Sequence, residues 1–287
     1  MKNRNVLVTG GAGFIGSALI KEISDQNNVT SVDNYFTGSK SNHHPGVRYV
    51  EEDAGNINKI FAKESFDIIY HLGEYSRVES SYEDYSLVEK FNILSFPNIL
   101  NFAKKLDAKI VYSGSSTKFA EYSENDYHSP YAWSKLRNTE YLKHYAKWFG
   151  LKYAISYFYN VYGEGELSEG NYSTVVGKFL RLAKEGSNHL PVVSPGTQKR
   201  NFTHIKDTIS ALVLIGEKGE GDGYGIGAEE SFSIIELAEL IGIAPKMIET
   251  RKGNRMSGSL ETQKTEMLGW KSKRKLVDYI RKHLNQD

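Results

Sequence analysis

The chain reads as an α/β protein: a doubly wound parallel sheet with a smaller lobe toward its C-terminus. Three observations predict this. Short apolar runs alternate with longer segments of helical period, the runs are apolar enough to be buried strands, and the alternation gives way after Tyr162 to loop-rich sequence. At 287 residues the chain is long enough for one such domain with a second lobe.

Segments 5–9, 30–32, 48–50, 67–72, 109–113 and 152–157 have strand composition, and 14–24, 57–63, 87–105 and 131–149 have helical period between them. Pro97 lies inside 87–105 and removes a backbone donor, so a bend or a late helix start is expected there. Gly163-Glu164-Gly165-Glu166 then opens the loop-rich stretch, with helical patterns at 175–185, 234–241 and 276–284. These pieces are too small for separate cores and are expected to pack together as a cap over the carboxyl edge of the sheet. Tyr224-Gly225-Ile226 is expected to return to the main sheet. The division that follows is a main domain of 1–163 with about 201–228, and a lobe of 164–200 with 229–287.

A net charge of +1 provides no global field toward nucleic acid or an acidic membrane, so an anionic ligand would need local donors. The absence of cysteine removes disulfides, thiolate nucleophiles and cysteine-bound metals. His43-His44 alone is too little for a metal site. The apolar run at Val6-Leu7-Val8 is too short for a signal core, and nothing approaches the ~18 apolar residues of a membrane span, so the expected location is the cytoplasm.

Thr9-Gly10-Gly11-Ala12-Gly13-Phe14-Ile15-Gly16 follows a strand and opens a helix. Gly10 permits the tight turn, Gly13 lets backbone approach a pyrophosphate, and Gly16 allows close packing of helix on sheet. The helix N-terminus offers free N–H groups to phosphate. Asp33, at the end of the second strand, stands where a carboxylate binds both ribose hydroxyls, and its charge repels a 2′-phosphate, which favours NAD over NADP. Asp53-Ala54 reads either as an adenine contact or as the cap of the segment that follows.

Tyr131-Ala132-Trp133-Ser134-Lys135 puts a phenol and an ammonium on one helix face. Lys135 can contact a nicotinamide ribose and by its charge favour phenolate at Tyr131, which can then take a proton from a sugar hydroxyl as hydride leaves its carbon. In a chain with 19 tyrosines this spacing alone is weak, but the preceding strand ends in Ser113-Gly114-Ser115-Ser116. Ser115 is the best placed hydroxyl to share the reacting proton, with Ser116 and Ser113 as rivals.

Together the segments at 10–16, Asp33-Asn34, His71-Leu72-Gly73, 113–116, 131–135, Asn160-Val161-Tyr162-Gly163 and Arg200-Asn201-Phe202-Thr203-His204 resemble the extended short-chain dehydrogenase/reductase family. The resemblance covers nearly the whole chain and is nearest the NAD-dependent nucleotide-sugar epimerase and dehydratase branch, including the UDP-glucose 4-epimerase-like enzymes. It implies a Rossmann-type domain with a sugar-nucleotide lobe, retained NAD, and a homodimer, for which 87–105 and 131–149 offer a four-helix surface. It assigns catalysis to Ser115, Tyr131 and Lys135. Cofactor contacts carry over to Phe14, Ile15, Asp33, Asn34, Asp53, Ala54, Leu72, Asn92 and Tyr159, with Gly73 and Ser113 beside them. Asn160 matches a residue near the sugar or its phosphate, Arg200 a diphosphate-binding arginine, and Arg251 a second one, where a solvated surface residue is the alternative.

Three departures from the family pattern matter. Glu74 replaces a small residue, and its carboxylate faces either the active site or a solvated loop. Tyr157 stands where an arginine is common. Ser116 and Thr117 occupy the places where 4,6-dehydratases carry an Asp-Glu pair, and neither is a ready general acid or base. The expected reaction is therefore 4-epimerisation by transient C4 oxidation. The alternative is a 4,6-dehydratase with Glu74 or Glu121 as a displaced acid, and a non-catalytic dinucleotide sensor is the remote third.

Overall fold

A computed structural model describes residues 1–119, 129–250 and 258–284. The first half runs β1 (Asn5–Thr9), α1 (Phe14–Ile23), β2 (Asn28–Asp33), β3 (Arg48–Glu51), α2 (Ile57–Ile60), β4 (Ile68–His71), α3 (Tyr85–Val88), α4 (Phe96–Leu106), β5 (Lys109–Ser115), α5 (Pro130–Phe149) and β6 (Tyr153–Phe158). The second half runs β7 (Val161–Tyr162), α6 (Val175–Lys184), β8 (His189–Val193), β9 (Lys199–Asn201), β10 (Thr203–His204), α7 (Ile205–Lys218), β11 (Gly221–Ile226), β12 (Ser231–Ser233), α8 (Ile234–Ile241), β13 (Ala244–Ile248), α9 (Gln263–Glu266) and α10 (Leu276–Leu284).

Seven strands form one parallel sheet in the order β11-β6-β5-β4-β1-β2-β3. Winding reverses between β1 and β4, which opens a crevice at their carboxyl ends, the place where such sheets bind ligands. Successive side chains of a strand leave opposite faces. Leu7, Ile69, Ile110, Tyr112 and Ile155 accordingly meet α2, α4 and α5 on one face, while Val6, Val8, Ile68, Tyr70, Val111 and Ala154 meet α1 and α7 on the other. Full burial of each aliphatic side chain contributes about 1.5–3 kcal/mol, so both faces resist slippage of the strand ends that carry the site.

The helix start at Pro97 is late, as expected. A π-helical stretch at Glu89–Leu94 precedes Ser95, and α4 opens with Pro97 in its first turn, where the missing N–H has no partner to lose. Strand β5 runs two residues past its expected end at Ser113, because Gly114 and Ser115 pair with Tyr157 and Phe158 of β6. Strand β11 joins the sheet beside β6, as Tyr224-Gly225-Ile226 foretold.

Helices α6, α8 and α10 with β8 share a third core around Phe179, Leu190, Leu237 and Ile280. Residues 263–270 differ from expectation. Helix α9 packs on β11, and Trp270 is buried on the α7 face, its indole donating to the Asp207 carbonyl at 2.9 Å. This stretch sits on the main sheet instead of the lobe. No helix among the described residues is long and apolar enough to cross a membrane.

Candidate active site

A cleft of about 650 Å³ opens over the crevice between β1 and β4 and extends to the lobe wall formed by β8, β9 and β13. At its sheet end, Gly10 adopts a φ of 71° and its N–H donates to the Val32 carbonyl at 2.9 Å. A Cβ there would lie 2.8 Å from the Gly73 backbone, and one at Gly16 would lie 2.1 Å from the Gly10 carbonyl oxygen. Gly13 is different: a Cβ there would meet only the Gly10 oxygen, at 3.3 Å, so the outer side of the turn is open to a ligand. Helix α1 starts at this residue with no side-chain cap and no acid in its first turn, leaving its N–H groups to a phosphate.

Asp33 is buried and accepts from the N–H of Ala12 and of Tyr35, each at 2.8 Å, so it braces the turn as well as lining the cleft. Asn34 lines the cleft and accepts from Phe36 N–H at 3.1 Å. Asp53 caps the turn that follows, accepting from Gly55 N–H at 2.9 Å, and its other oxygen lies 3.3 Å from Lys90 Nζ. The capping reading therefore holds, while Asp53 and Ala54 also reach the cleft wall. Phe14, Ile15, Leu72, Gly73 and Ser113 line the same space. The donor set fits a dinucleotide: an open glycine turn for pyrophosphate and a fixed carboxylate for ribose.

Ser129 caps α5 by accepting from Ala132 N–H at 3.1 Å, and Pro130 occupies the first turn, so Tyr131 enters the cleft at the helix start. One turn on, Lys135 is buried, with Nζ 6.0 Å from the Tyr131 ring centre. Its ammonium donates to the Ser113 carbonyl at 2.7 Å and to Glu74 Oε2 at 2.5 Å. Ser115 Oγ accepts from the Thr117 hydroxyl at 2.9 Å and the Thr117 N–H at 3.3 Å, which leaves its own proton to donate into the cleft. The rival Ser113 instead spends its proton on the His71 carbonyl at 2.9 Å. Ser116, the other rival, also lines the cleft.

Glu74 lines the cleft and is not part of a solvated loop. Its side chain is 1% exposed, held by Lys135, by the Tyr112 hydroxyl at 3.0 Å and by the Asn138 amide at 2.9 Å. Burial works against its charge, but the Lys135 ammonium and the His71 ring outweigh it and keep the carboxyl below the usual carboxylate range. Burial and this carboxylate push the Tyr112 hydroxyl up, so it remains a donor. Glu74 is therefore an ionised group in the wall of the cleft, nearly closed off from solvent by its own partners.

Two further expectations need correction. Asn92 does not line the cleft. It is fully buried, accepts from Tyr75 N–H at 2.7 Å, and donates to the Tyr75 carbonyl at 3.1 Å and to Ser134 at 2.9 Å, bracing the cleft from behind. Tyr159 likewise turns away, donating to the Ser259 carbonyl at 2.8 Å and accepting from Glu261 N–H at 3.0 Å. Asn160, at a φ of 25°, and Arg200 do line the cleft. Tyr157 is buried with its hydroxyl between Asp222 and Lys118, outside the cleft lining. Arg251 and Glu121 lie outside the described residues.

The sequence reading missed three residues. Asn138 holds Glu74 and lies seven residues after Tyr131, so helical spacing put it on the Tyr131–Lys135 face. Arg77 lines the cleft from the loop after β4, with donors to the Tyr172 and Ser76 carbonyls; its place at a carboxyl strand end was the available signal. Gln198, 3% exposed, carries a buried Oε1 without a hydrogen-bond partner at the lobe wall, and nothing local in the sequence marked it.

The model of the NAD dependent epimerase/dehydratase family matches residues 6–227. A putative UDP-glucose 4-epimerase of Methanocaldococcus jannaschii is 32% identical, over 98% of this chain and 97% of its own. UDP-glucuronic acid decarboxylase 6 of Arabidopsis thaliana is 30% identical, over 96% and 86% respectively. Among solved structures, the UDP-glucose 4-epimerase of Thermotoga maritima with UDP-glucose superposes with a TM-score of 0.90 at 25% identity, covering 98% of both chains.

Proposed function

The chain belongs to the NAD-dependent epimerase/dehydratase family, and on that premise we propose that it epimerises a nucleotide-diphosphate hexose at C4. Bound NAD supplies the acceptor and later the donor of the C4 hydride. Tyr131 takes the proton of the 4-hydroxyl, and Ser115 steadies the same oxygen with the hydrogen that Thr117 leaves unspent. Lys135, fixed from below, keeps a positive charge beside the phenol. The keto sugar turns in the cleft, Tyr131 returns the proton, and hydride adds to the other face.

One observation carries the choice of reaction. The positions after Ser115 are the hydroxyl residues Ser116 and Thr117, and Glu74 is committed as a carboxylate to Lys135, so it has no proton to give a departing 6-hydroxyl. A second reading, C4 oxidation of a nucleotide uronic acid followed by loss of CO₂, is favoured by Arg77, a cleft guanidinium whose hydrogen bonds among the described residues go to carbonyls alone. The enzyme would work as a homodimer, with exposed Leu94, Trp133 and Trp148 offering the helical surface.

The test is NMR of products from a panel of nucleotide hexoses that includes a uronic acid. A C4 epimer is the expected product. A 4-keto-6-deoxy sugar would make the protein a lyase, and a pentose with released CO₂ would select the second reading.

A further inference from the structure

Glu74 is a charge that the reaction does not consume, lodged beneath the residues that perform it. A buried carboxylate in place of a small side chain is unfavourable unless its oxygens are fully matched. Here they are: Oε2 receives Lys135 and Tyr112, and Oε1 receives Asn138. The matching extends to the cofactor turn. Thr9 Oγ1 accepts from the N–H groups of Leu72 at 3.2 Å and Gly73 at 3.0 Å, so its own hydrogen points at His71 Nδ1, 2.8 Å away. On the other side of the ring, His71 Nε2 lies 3.5 Å from Glu74 Oε1. Thr9, His71, Glu74 and Lys135 thus stand in sequence from the cofactor turn to the Tyr131 side of the cleft, with His71 Nε2 close to Glu74 but not hydrogen-bonded to it.

Glu74 takes one of the hydrogens of Lys135. Two of the three ammonium hydrogens of Lys135 are spent on Glu74 and the Ser113 carbonyl, leaving one for a ligand hydroxyl or for Tyr131. The charged and titratable groups around the pair are Lys135 on α5, Arg77 on the loop after β4, Tyr112 on β5 and His71 on β4. Glu74 is the acid paired with the Lys135 ammonium.

We propose that Glu74 is a positioning residue that acts through Lys135, fixing where the ammonium sits and offsetting part of its charge, and so sets the pH range in which Tyr131 works as the base. This rests on the hydride-transfer reading of the site, which epimerisation, dehydration and decarboxylation share. Removing the negative charge leaves the Lys135 ammonium uncompensated and favours phenolate, so the working range moves to lower pH. Shortening the side chain while keeping its charge displaces Lys135 without moving the range to lower pH.

The readout is the near-ultraviolet phenolate absorbance that Tyr131→Phe removes, followed across pH in NAD-loaded protein, alongside kcat and KM. In Glu74→Gln the midpoint of that signal should fall by about one pH unit, and the acid limb of kcat/KM should follow it. In Glu74→Asp the midpoint should not fall, while kcat drops about tenfold at unchanged KM because the ammonium is displaced. A Glu74→Gln midpoint equal to the native one overturns the proposal. Should Glu74→Gln not fold, Glu74→Asp decides: native kcat overturns the proposal, and a kcat loss at constant KM upholds it. Absence of turnover by the native protein on every nucleotide hexose would refute the hydride-transfer reading instead, and the absorbance titration would still report on Glu74.

Discussion

Along the sheet wall of the cleft, polar groups are tied to one another before any ligand arrives. Asp33 braces the glycine turn and Ser113 reaches β4, both near strand ends pinned by the two main cores, and Lys135 on α5 is held from two sides. Along the lobe wall the strands are pairs of three to five residues, β9 with β12 and β8 with β13. Gln198 Oε1 is buried there without a partner, and Glu166, elsewhere in the lobe and hydrogen-bonded to Thr174 and Gly163, has its carboxyl pushed up to about 7 by burial. The sheet wall is preorganised for chemistry, and the lobe holds groups that only a ligand or a proton completes. Damage to the first should appear in kcat and in folding, and damage to the second in KM.

The largest effect is expected at Lys135. Lys135→Met should lose nearly all turnover and also strand Glu74 as an unpaired buried charge, costing about 3–5 kcal/mol of stability. Thermal unfolding with an unchanged midpoint would show that the two are not coupled. Tyr131→Phe should bind NAD normally and turn over about 10²–10⁴-fold more slowly; near-native turnover would remove the phenol from the reaction.

On the lobe side, Gln198→Leu should raise KM about tenfold, the worth of one hydrogen bond, with kcat intact. A fall in kcat at constant KM would erase the contrast between the walls. The smallest effect belongs to Glu166. Its carboxyl binds a proton more tightly in the fold than in the unfolded chain, so its contribution to stability is present at low pH and declines as pH rises from about 4.5 to about 7. Over that range the melting temperature of Glu166→Gln should gain on the native protein. A gap independent of pH would mean that Glu166 does not titrate there.

The same contrast explains what could be read from the amino acids alone. The glycine turn, Asp33 and the Tyr131–Lys135 pair are local patterns whose chemistry follows from spacing, and the structure brings them to one cleft. Glu74 could not be placed because its partners come from separate elements: His71 on β4, Tyr112 on β5, and Asn138 and Lys135 on α5. Asn92 and Tyr159 were carried over by resemblance alone, and in this chain their hydrogen bonds are spent on Tyr75, Ser134 and 259–261. Strands of two or three residues, such as β7 and β10, carry no period to detect and exist only through their pairing.

The central claim is that the hydride taken from C4 of the sugar returns to C4, so that the sugar is inverted there and changed nowhere else. Its most direct test follows a nucleotide hexose deuterated at C4 through turnover in ordinary water. The account predicts a C4 epimer that keeps its deuterium at C4, with no label lost to solvent and no solvent hydrogen gained at C5. Deuterium appearing at C6 of a 4-keto-6-deoxy product, or solvent hydrogen entering at C5, would contradict it.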